Sequence, residues 1–203
     1  MSHFTGIYRL GNRTAKYTII PLEDNLVQKA KDGNPRDLEK LYRHFYGYAM
    51  SIALRYSNSR EEACEIVNDS FMKVFDKLAQ YTDTHAFKGW FRRILINTSI
   101  DYYRKNVKYY ADMEIEKAEL PLCEASVIDE LSKEEILTML RELPELLRII
   151  FNMYEIEGYS HNEIADELGI PSSTSRSYLA RAKHRLRDKI IRLNKIKDEG
   201  AIR

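Results

Sequence analysis

The stretch Tyr159-Ser-His-Asn-Glu-Ile-Ala-Asp-Glu-Leu-Gly-Ile-Pro-Ser-Ser-Thr-Ser-Arg-Ser-Tyr-Leu179 predicts two short helices joined by a tight turn. Ser160 is a favourable N-cap for the first helix, and Gly169 can adopt the positive φ at which such a helix ends. Ile164 and Leu168 stand four residues apart, so we expect both to face inward. This spacing predicts a helix-turn-helix whose second helix can enter the major groove of DNA.

The second helix of this motif begins near Pro171 or Ser172 and carries small hydroxyls and cations toward solvent. Such side chains reach both phosphates and base edges. The helix dipole alone would also favour a basic end, so charge by itself leaves both interpretations open. The turn, the inward packing and the basic face all fit one structure, a helix-turn-helix, so we expect this motif to bind duplex DNA. The candidate contacts, within and just beyond the segment from Ser160 to Leu179, are Ser172, Ser173, Thr174, Arg176, Ser177, Tyr178, Arg181 and Arg185.

The rest of the chain is also predicted to be helical. Asn34-Pro35 is a strong helix start, Ser-x-x-Glu patterns at Ser59, Ser132 and Ser160 predict capped helices, and Pro144 begins another. Only residues 17–20 look extended. We therefore predict an all-α fold of two small helical domains joined by a flexible linker. The predicted parts are an N-terminal extension at 1–21, a first domain at 22–106, the linker at 107–131 and a second domain at 132–203.

Composition and charge narrow the class of protein. Hydrophobic residues make up 44% and charged residues 31% of the 203 residues, as in a soluble globular chain. No run approaches the roughly 18 apolar residues of a membrane span, so we expect a cytoplasmic protein without membrane insertion. The net charge of +1 hides basic blocks at 88–108 and 171–203 around an acidic block at 112–130. Basic faces suit phosphate contacts, although solvated helix faces would give the same pattern.

The sequence lacks the residue patterns that are typical of metal-binding and catalytic sites. Cys64 and Cys123 have no CxxC partner, and the histidines stand at no ligand spacing, so we expect no metal site and no cofactor. Neither a nucleophile motif nor a phosphate-binding loop occurs. We therefore predict no catalytic residues, no small-molecule substrate and no enzymatic activity of the chain's own.

A central segment, residues 65–78, has two distinct faces. Val67, Phe71, Val74 and Leu78 recur at helical spacing and should face the core. The other face is acidic and polar with one apolar member, which suits a protein partner better than DNA; it comprises Glu61, Glu65, Asn68, Asp69 and Met72. From periodicity alone, a plain amphipathic helix remains the stronger interpretation.

The segment from Phe87 to Lys105 mixes aromatic and cationic side chains, a combination that suits single-stranded nucleic acid. The polar loop at residues 80–86 before it could border a pocket for a flipped base. The apolar members equally fit a core, and for Trp90 and Ile94, four residues apart, we expect the core. The functional prediction therefore rests on Lys88, Arg92, Arg93, Asn97 and Arg104.

A family resemblance joins these segments. Glu65-Ile-Val-Asn-Asp-Ser-Phe71 resembles the region 2.2 motif of extracytoplasmic-function (ECF) sigma factors of bacterial RNA polymerase. Phe87-Lys-Gly-Trp-Phe-Arg-Arg-Ile94, with Asn97 and Ile100-Asp101, resembles regions 2.3 and 2.4, and residues 143–186 resemble region 4. The matches follow the family's order and spacing over residues 26–106 and 132–190.

Three positions depart from the family's usual residues. Ser175 stands where many members have Val, Tyr178 where many have Arg, and Ile96 where a basic residue is common. Ser175 together with Asn97-Thr98 resembles a subgroup common in Bacteroidetes-type bacteria. The family's base preference at the −35 element is therefore not carried over to Tyr178.

The resemblance implies three contacts. The region 2.2 helix docks on the β′ clamp helices of core RNA polymerase, which assigns core binding to Glu65, Asn68, Asp69, Met72 and Phe75. The region 2.3–2.4 helix melts and reads the −10 element, and the helix-turn-helix reads the −35 element as duplex. The implied partners are core polymerase with its β and β′ subunits, promoter DNA and an anti-sigma factor, often membrane-anchored.

Two further expectations accompany the resemblance. The two domains are expected to close on each other when an inhibitor binds. The alternative to a sigma factor is an ordinary helix-turn-helix transcriptional regulator, which would not associate with core polymerase.

Overall fold

The computed structural model describes residues 22–82, 86–107 and 132–201, and every regular element in these ranges is helical. A 3-10 turn, Leu78–Gln80, follows the third helix, and a π-helical turn, Asn152–Ile156, follows the sixth. The all-α prediction is confirmed. The predicted N-terminal extension, extended residues 17–20, Cys123 and nearly all of the linker lie outside the described residues. The helices are α1 (Leu22–Ala30), α2 (Pro35–Tyr56), α3 (Arg60–Lys77), α4 (Phe87–Val107), α5 (Lys133–Arg141), α6 (Glu145–Phe151), α7 (His161–Leu168) and α8 (Ser172–Ala201).

Side-chain caps fix where several helices begin. The Asn34 side chain accepts from the amide of Arg36, with Pro35 as the first helical residue of α2. Complete capping boxes start α5 at Ser132 and α7 at Ser160, as the sequence predicts. At Ser59 the pattern is only half realised, because the Glu62 carboxylate accepts from the amide of Asn58 rather than from that of the cap residue.

The first four helices form a bundle around aromatic side chains, here called the N-terminal bundle (α1–α4). The predicted inner face of α3 is buried throughout, including Phe71, whose ring centroid lies 4.8 Å from that of Phe91 on α4. Trp90 and Ile94 are half-buried at the edge of this core, and the most deeply buried hydrophobic residues of α4 are instead Phe91, Leu95, Ile96 and Ile100. The prediction of core positions for Trp90 and Ile94 is therefore right only in part.

The last four helices form a second unit, here called the C-terminal unit (α5–α8). Ile164 of α7 is fully buried, and Leu179 of α8 returns to the core, as predicted. Gly169 has φ +66° and ends α7, and α8 begins at Ser172, which decides between the two predicted starts. The helix-turn-helix geometry is therefore present. Among the described residues, no helix combines the length and the apolar character that a membrane span requires.

The two units are packed together, and their cores are continuous. Ile149 and Ile150 of α6 and Met153 after it join the buried cluster of α2, α3 and α4. The sequence predicts closure of the two domains when an inhibitor binds, but the chain alone already has them in contact. The pattern could not show this, because the faces that meet come from separate segments and each resembles an ordinary amphipathic helix.

The turn of the helix-turn-helix gives a direct stability prediction. Gly169→Ala should lower the free energy of unfolding by about 1 kcal/mol, because an L-residue is strained at positive φ. A Cβ there meets no atom within 4 Å, so the cost is conformational. Gly47→Ala, inside α2 and equally open, should instead raise it by about 0.5–1 kcal/mol. Urea denaturation followed by circular dichroism measures both, and changes of the same sign would contradict the prediction.

Candidate nucleic-acid interface

The first turns of α8 present the predicted duplex-binding side chains. Arg176, Ser173, Ser177 and Arg185 are exposed, whereas Ser172, Thr174, Tyr178 and Arg181 are half-buried. A guanidinium nitrogen of Arg176 lies 3.3 Å from the Ser172 hydroxyl, beside the N-terminus of the helix. Tyr178 packs against both buried clusters, with the Arg181 guanidinium 5.7 Å from its ring centre. Arg176 is therefore open to DNA, and Tyr178 is partly turned inward.

A hydrogen bond between the two helices of the motif explains Ser175. Ser175 is completely buried, and its hydroxyl lies 2.9 Å from Nδ1 of His161. The His161 ring stacks on Tyr154 at 4.4 Å, and burial, followed by the charges of Arg176 and Lys183, lowers the pKa of His161. This contact holds α8 against α7. The sequence signal for this hydrogen bond is a serine at a position of the motif that is usually apolar, since a buried hydroxyl needs a partner.

The acidic face of α3 is exposed as predicted. Glu65, Asn68 and Asp69 point to solvent, and Met72 is 60% exposed, more than any other large hydrophobic side chain of the described residues. Two tyrosine hydroxyls order its polar groups, since Tyr42 donates to Asn68 (3.1 Å) and Tyr102 donates to Asp69 (2.8 Å). Burial, and then the bond to Asp69, raise the pKa of Tyr102.

Phe75 differs from the other four residues that were predicted to bind core polymerase. It is half-buried and packs on the ring of Phe71, with centroids 5.8 Å apart. It therefore supports the core of the N-terminal bundle while remaining partly exposed to solvent. A change at Phe75 would disturb packing as well as the surface.

The α4 cations are exposed or half-buried, and each has an acceptor within the protein. Lys88 donates to the Glu23 carboxylate of α1 (2.6 Å), and Arg92 forms an ion pair with Glu157. Arg104 donates to the main-chain carbonyl of Glu167 and lies 3.5 Å from Asp101. Arg93 is exposed and hydrogen bonds to Tyr159, and Asn97 is exposed. Three of the four cations therefore have partners in residues 157–167 of the C-terminal unit.

Glu157 is the central acceptor of this contact. Its side chain is only 1% exposed and pairs with Arg55 at 2.7 Å as well as with Arg92. The hydrogen bond from Arg92 to this carboxylate raises the pKa of Arg92. The sequence pattern did not indicate Glu157 or Arg55, because charged residues outside a motif are expected on the surface.

Two sigma family models match this chain. Residues 41–109 match the model described as Sigma-70 region 2, and residues 133–186 match the model described as Sigma-70, region 4. Between them the two matches span more than half of the chain. They fall on the N-terminal bundle and on the C-terminal unit respectively.

Curated relatives are similar over most of the chain. The RNA polymerase sigma-H factor of Pseudomonas aeruginosa is 23% identical over 175 residues, or 79% of this chain and 90% of the relative. The ECF RNA polymerase sigma-E factor of Escherichia coli K12 is 25% identical over 177 residues, or 81% and 92%.

Two solved structures are also similar. The sigma factor RpoE bound to the anti-sigma factor NepR from Bartonella quintana is 21% identical, with 75% of this chain and 96% of that one covered and a TM-score of 0.46. The structure of CnrH with the cytosolic domain of CnrY is 20% identical, with 82% and 95% covered and a TM-score of 0.43.

Proposed function

The chain belongs to the ECF sigma factors of the sigma-70 family, the alternative sigma subunits that direct transcription initiation, and we propose how its surfaces share that work. The acidic face of α3 binds core RNA polymerase. The α4 cations and Asn97 bind the −10 element as single strands. The first turns of α8 bind the −35 element as duplex.

The combination of two surfaces in one chain carries this proposal. A polar and acidic face with the exposed Met72 fits a protein partner, since DNA would repel its carboxylates. Arg176 on the open side of α8 fits DNA. The alternative, a helix-turn-helix regulator that acts without core polymerase, leaves the α3 face without a purpose and is disfavoured by the region 2 match.

Several finer assignments belong to the same proposal. The sigma regions are proposed at residues 22–106 and 132–203, with a linker between them. The chain is proposed to be a specificity subunit that catalyses no reaction itself and works in the cytoplasm beside the polymerase. An anti-sigma factor is proposed as a further partner on the strength of the family alone. Membership of the Bacteroidetes-type subgroup stays a prediction.

Reconstitution with core RNA polymerase tests the function directly. The purified chain is added to core enzyme on a library of genomic fragments, and run-off transcripts are sequenced to find their start sites. We expect discrete transcripts that require both the chain and core enzyme. Specific duplex binding with no association with core polymerase would instead support the regulator alternative.

A further inference from the structure

A polar contact at the first turn of α8 joins three successive elements of the C-terminal unit. The hydroxyl of Ser175 lies 2.9 Å from Nδ1 of His161, which is the first residue of α7. The His161 ring in turn stacks on Tyr154 of the π-helical turn, with centroids 4.4 Å apart and an angle of 22° between the ring planes. The stack fixes the plane of the imidazole, so Nδ1 is held in one direction, toward Ser175.

The contact with His161 restricts the rotation of α8 about its own axis. Ser175 is 0% exposed, and among the described residues its hydroxyl hydrogen bonds to no side chain other than His161. A buried hydroxyl that loses its partner is disfavoured, so α8 keeps the rotation that preserves this bond. The apolar residues that α8 buries farther along, Leu179 and Ala182, add attraction without direction, because hydrophobic contacts are not directional.

The rotation of α8 also decides where Arg176 points. Ser175 is the first fully buried residue of the helix, since residues 172–174 before it are half-buried or exposed. Neighbouring residues of an α-helix project about 100° apart, so the rotation that places Ser175 against α7 places Arg176 on the open side. A side chain that reads a base has to be held within about 0.5 Å and 10–20° of the productive geometry. The bond to His161 therefore acts on the orientation of the proposed base contact.

We infer that His161 is a positioning residue for recognition of the −35 element: through Ser175 it sets the rotation of α8 and so determines how sharply the holoenzyme distinguishes its own −35 sequence from others. This inference rests on the proposed function, since it needs α8 to read the −35 element. A contact with a purely structural role would add stability to the C-terminal unit and leave the preference for bases unchanged.

Three substitutions in the full-length chain separate the hydrogen bond from the stacking. His161→Phe keeps a ring to stack on Tyr154 and removes the nitrogen, whereas His161→Asn removes the ring and keeps an amide with both a donor and an acceptor for Ser175. Ser175→Val removes the hydroxyl from the other side. The matched control is Glu155→Gln, because Glu155 also joins the π-helical turn to α8, through an ion pair with Lys183 (2.7 Å) two turns beyond Ser175.

Discrimination is measured with holoenzyme reconstituted from core RNA polymerase and each variant. A promoter fragment found by run-off transcription competes with copies in which each −35 position carries each of the other three bases, and the ratio of affinities is the readout. H161F and S175V should each lower this ratio by about tenfold, as expected when one two-bond base contact is displaced. The double variant should lower it no further, because the same bond is lost only once. H161N and E155Q should keep most of the wild-type ratio.

Thermal unfolding followed by circular dichroism reports the stability of each variant separately. Wild-type discrimination in folded H161F and S175V would overturn the inference, whatever their loss of stability, and so would losses that multiply in the double variant. S175V decides the test if H161F does not fold, since valine suits a buried position. Failure of the wild type to transcribe with core enzyme would instead remove the proposed function and the inference with it, whereas normal transcription with unchanged discrimination in the variants removes the inference alone.

Discussion

Changing Asp69 and Met72 of α3 together to Ala should weaken binding of the chain to core RNA polymerase by about tenfold to a hundredfold. Truncation of an interface contact commonly costs about 1 kcal/mol, so the two changes together should cost about 1.4–2.8 kcal/mol, where each 1.4 kcal/mol corresponds to tenfold in affinity. Met72 supplies the apolar contact, and Asp69 supplies a carboxylate already oriented by Tyr102. Phe75 is left unchanged, because its packing on Phe71 would add a loss of stability.

Equilibrium binding to core enzyme, with labelled chain and increasing ionic strength, measures this effect. The matched control is Glu39→Gln on α2, which removes an exposed carboxylate that only pairs with Arg43 one turn away. The control should bind like the wild type, since such surface pairs contribute little. Equal affinity of the double variant and the control would show that α3 does not dock on the polymerase. Transcription should fall in parallel with affinity and recover when the chain is added in excess.

Local patterns in the sequence predicted the helices and their caps well, because each depends on residues within one or two turns. Asn34 with Pro35, and the serine boxes at Ser132 and Ser160, act through bonds to amides two or three residues away. Burial of Phe71 and Val74 follows from the same short periodicity. The exposure of the α3 face and of Arg176 was predictable for this reason.

The contact between the two units was not predictable in this way. Arg55 and Glu157 are 102 positions apart, and nothing near either residue identifies the other. Arg148 has the strongest local signal, since a single cation in the run Leu146-Leu-Arg-Ile-Ile150 must find acceptors if the run is buried. That signal indicates a partner but not which one. The α4 cations were therefore expected to be open, whereas tertiary packing supplies several of them with acceptors.

Arg176→Ala should weaken binding of the holoenzyme to its promoters by about 1–3 kcal/mol if this side chain reads a base at the −35 element. Arginine makes two hydrogen bonds to the major-groove edge of guanine, and alanine leaves both acceptors without a partner. Competition binding to promoter fragments found by run-off transcription provides the measurement. The matched control is Arg192→Ala, an exposed cation farther along α8, by about 24 Å at 1.5 Å per residue.

The sequence dependence of the loss decides between the two possible roles of Arg176. A base contact predicts that the variant loses affinity for promoters and keeps most of its affinity for unrelated duplexes. The difference in affinity between the four bases then becomes smaller at one position of the −35 element. A phosphate contact predicts an equal loss on all sequences and a salt dependence that is shallower by about one released ion. The bond to Ser172 holds the guanidinium beside the helix N-terminus, where recognition helices approach base edges. That position favours the base contact, and a uniform loss on all duplexes would contradict it.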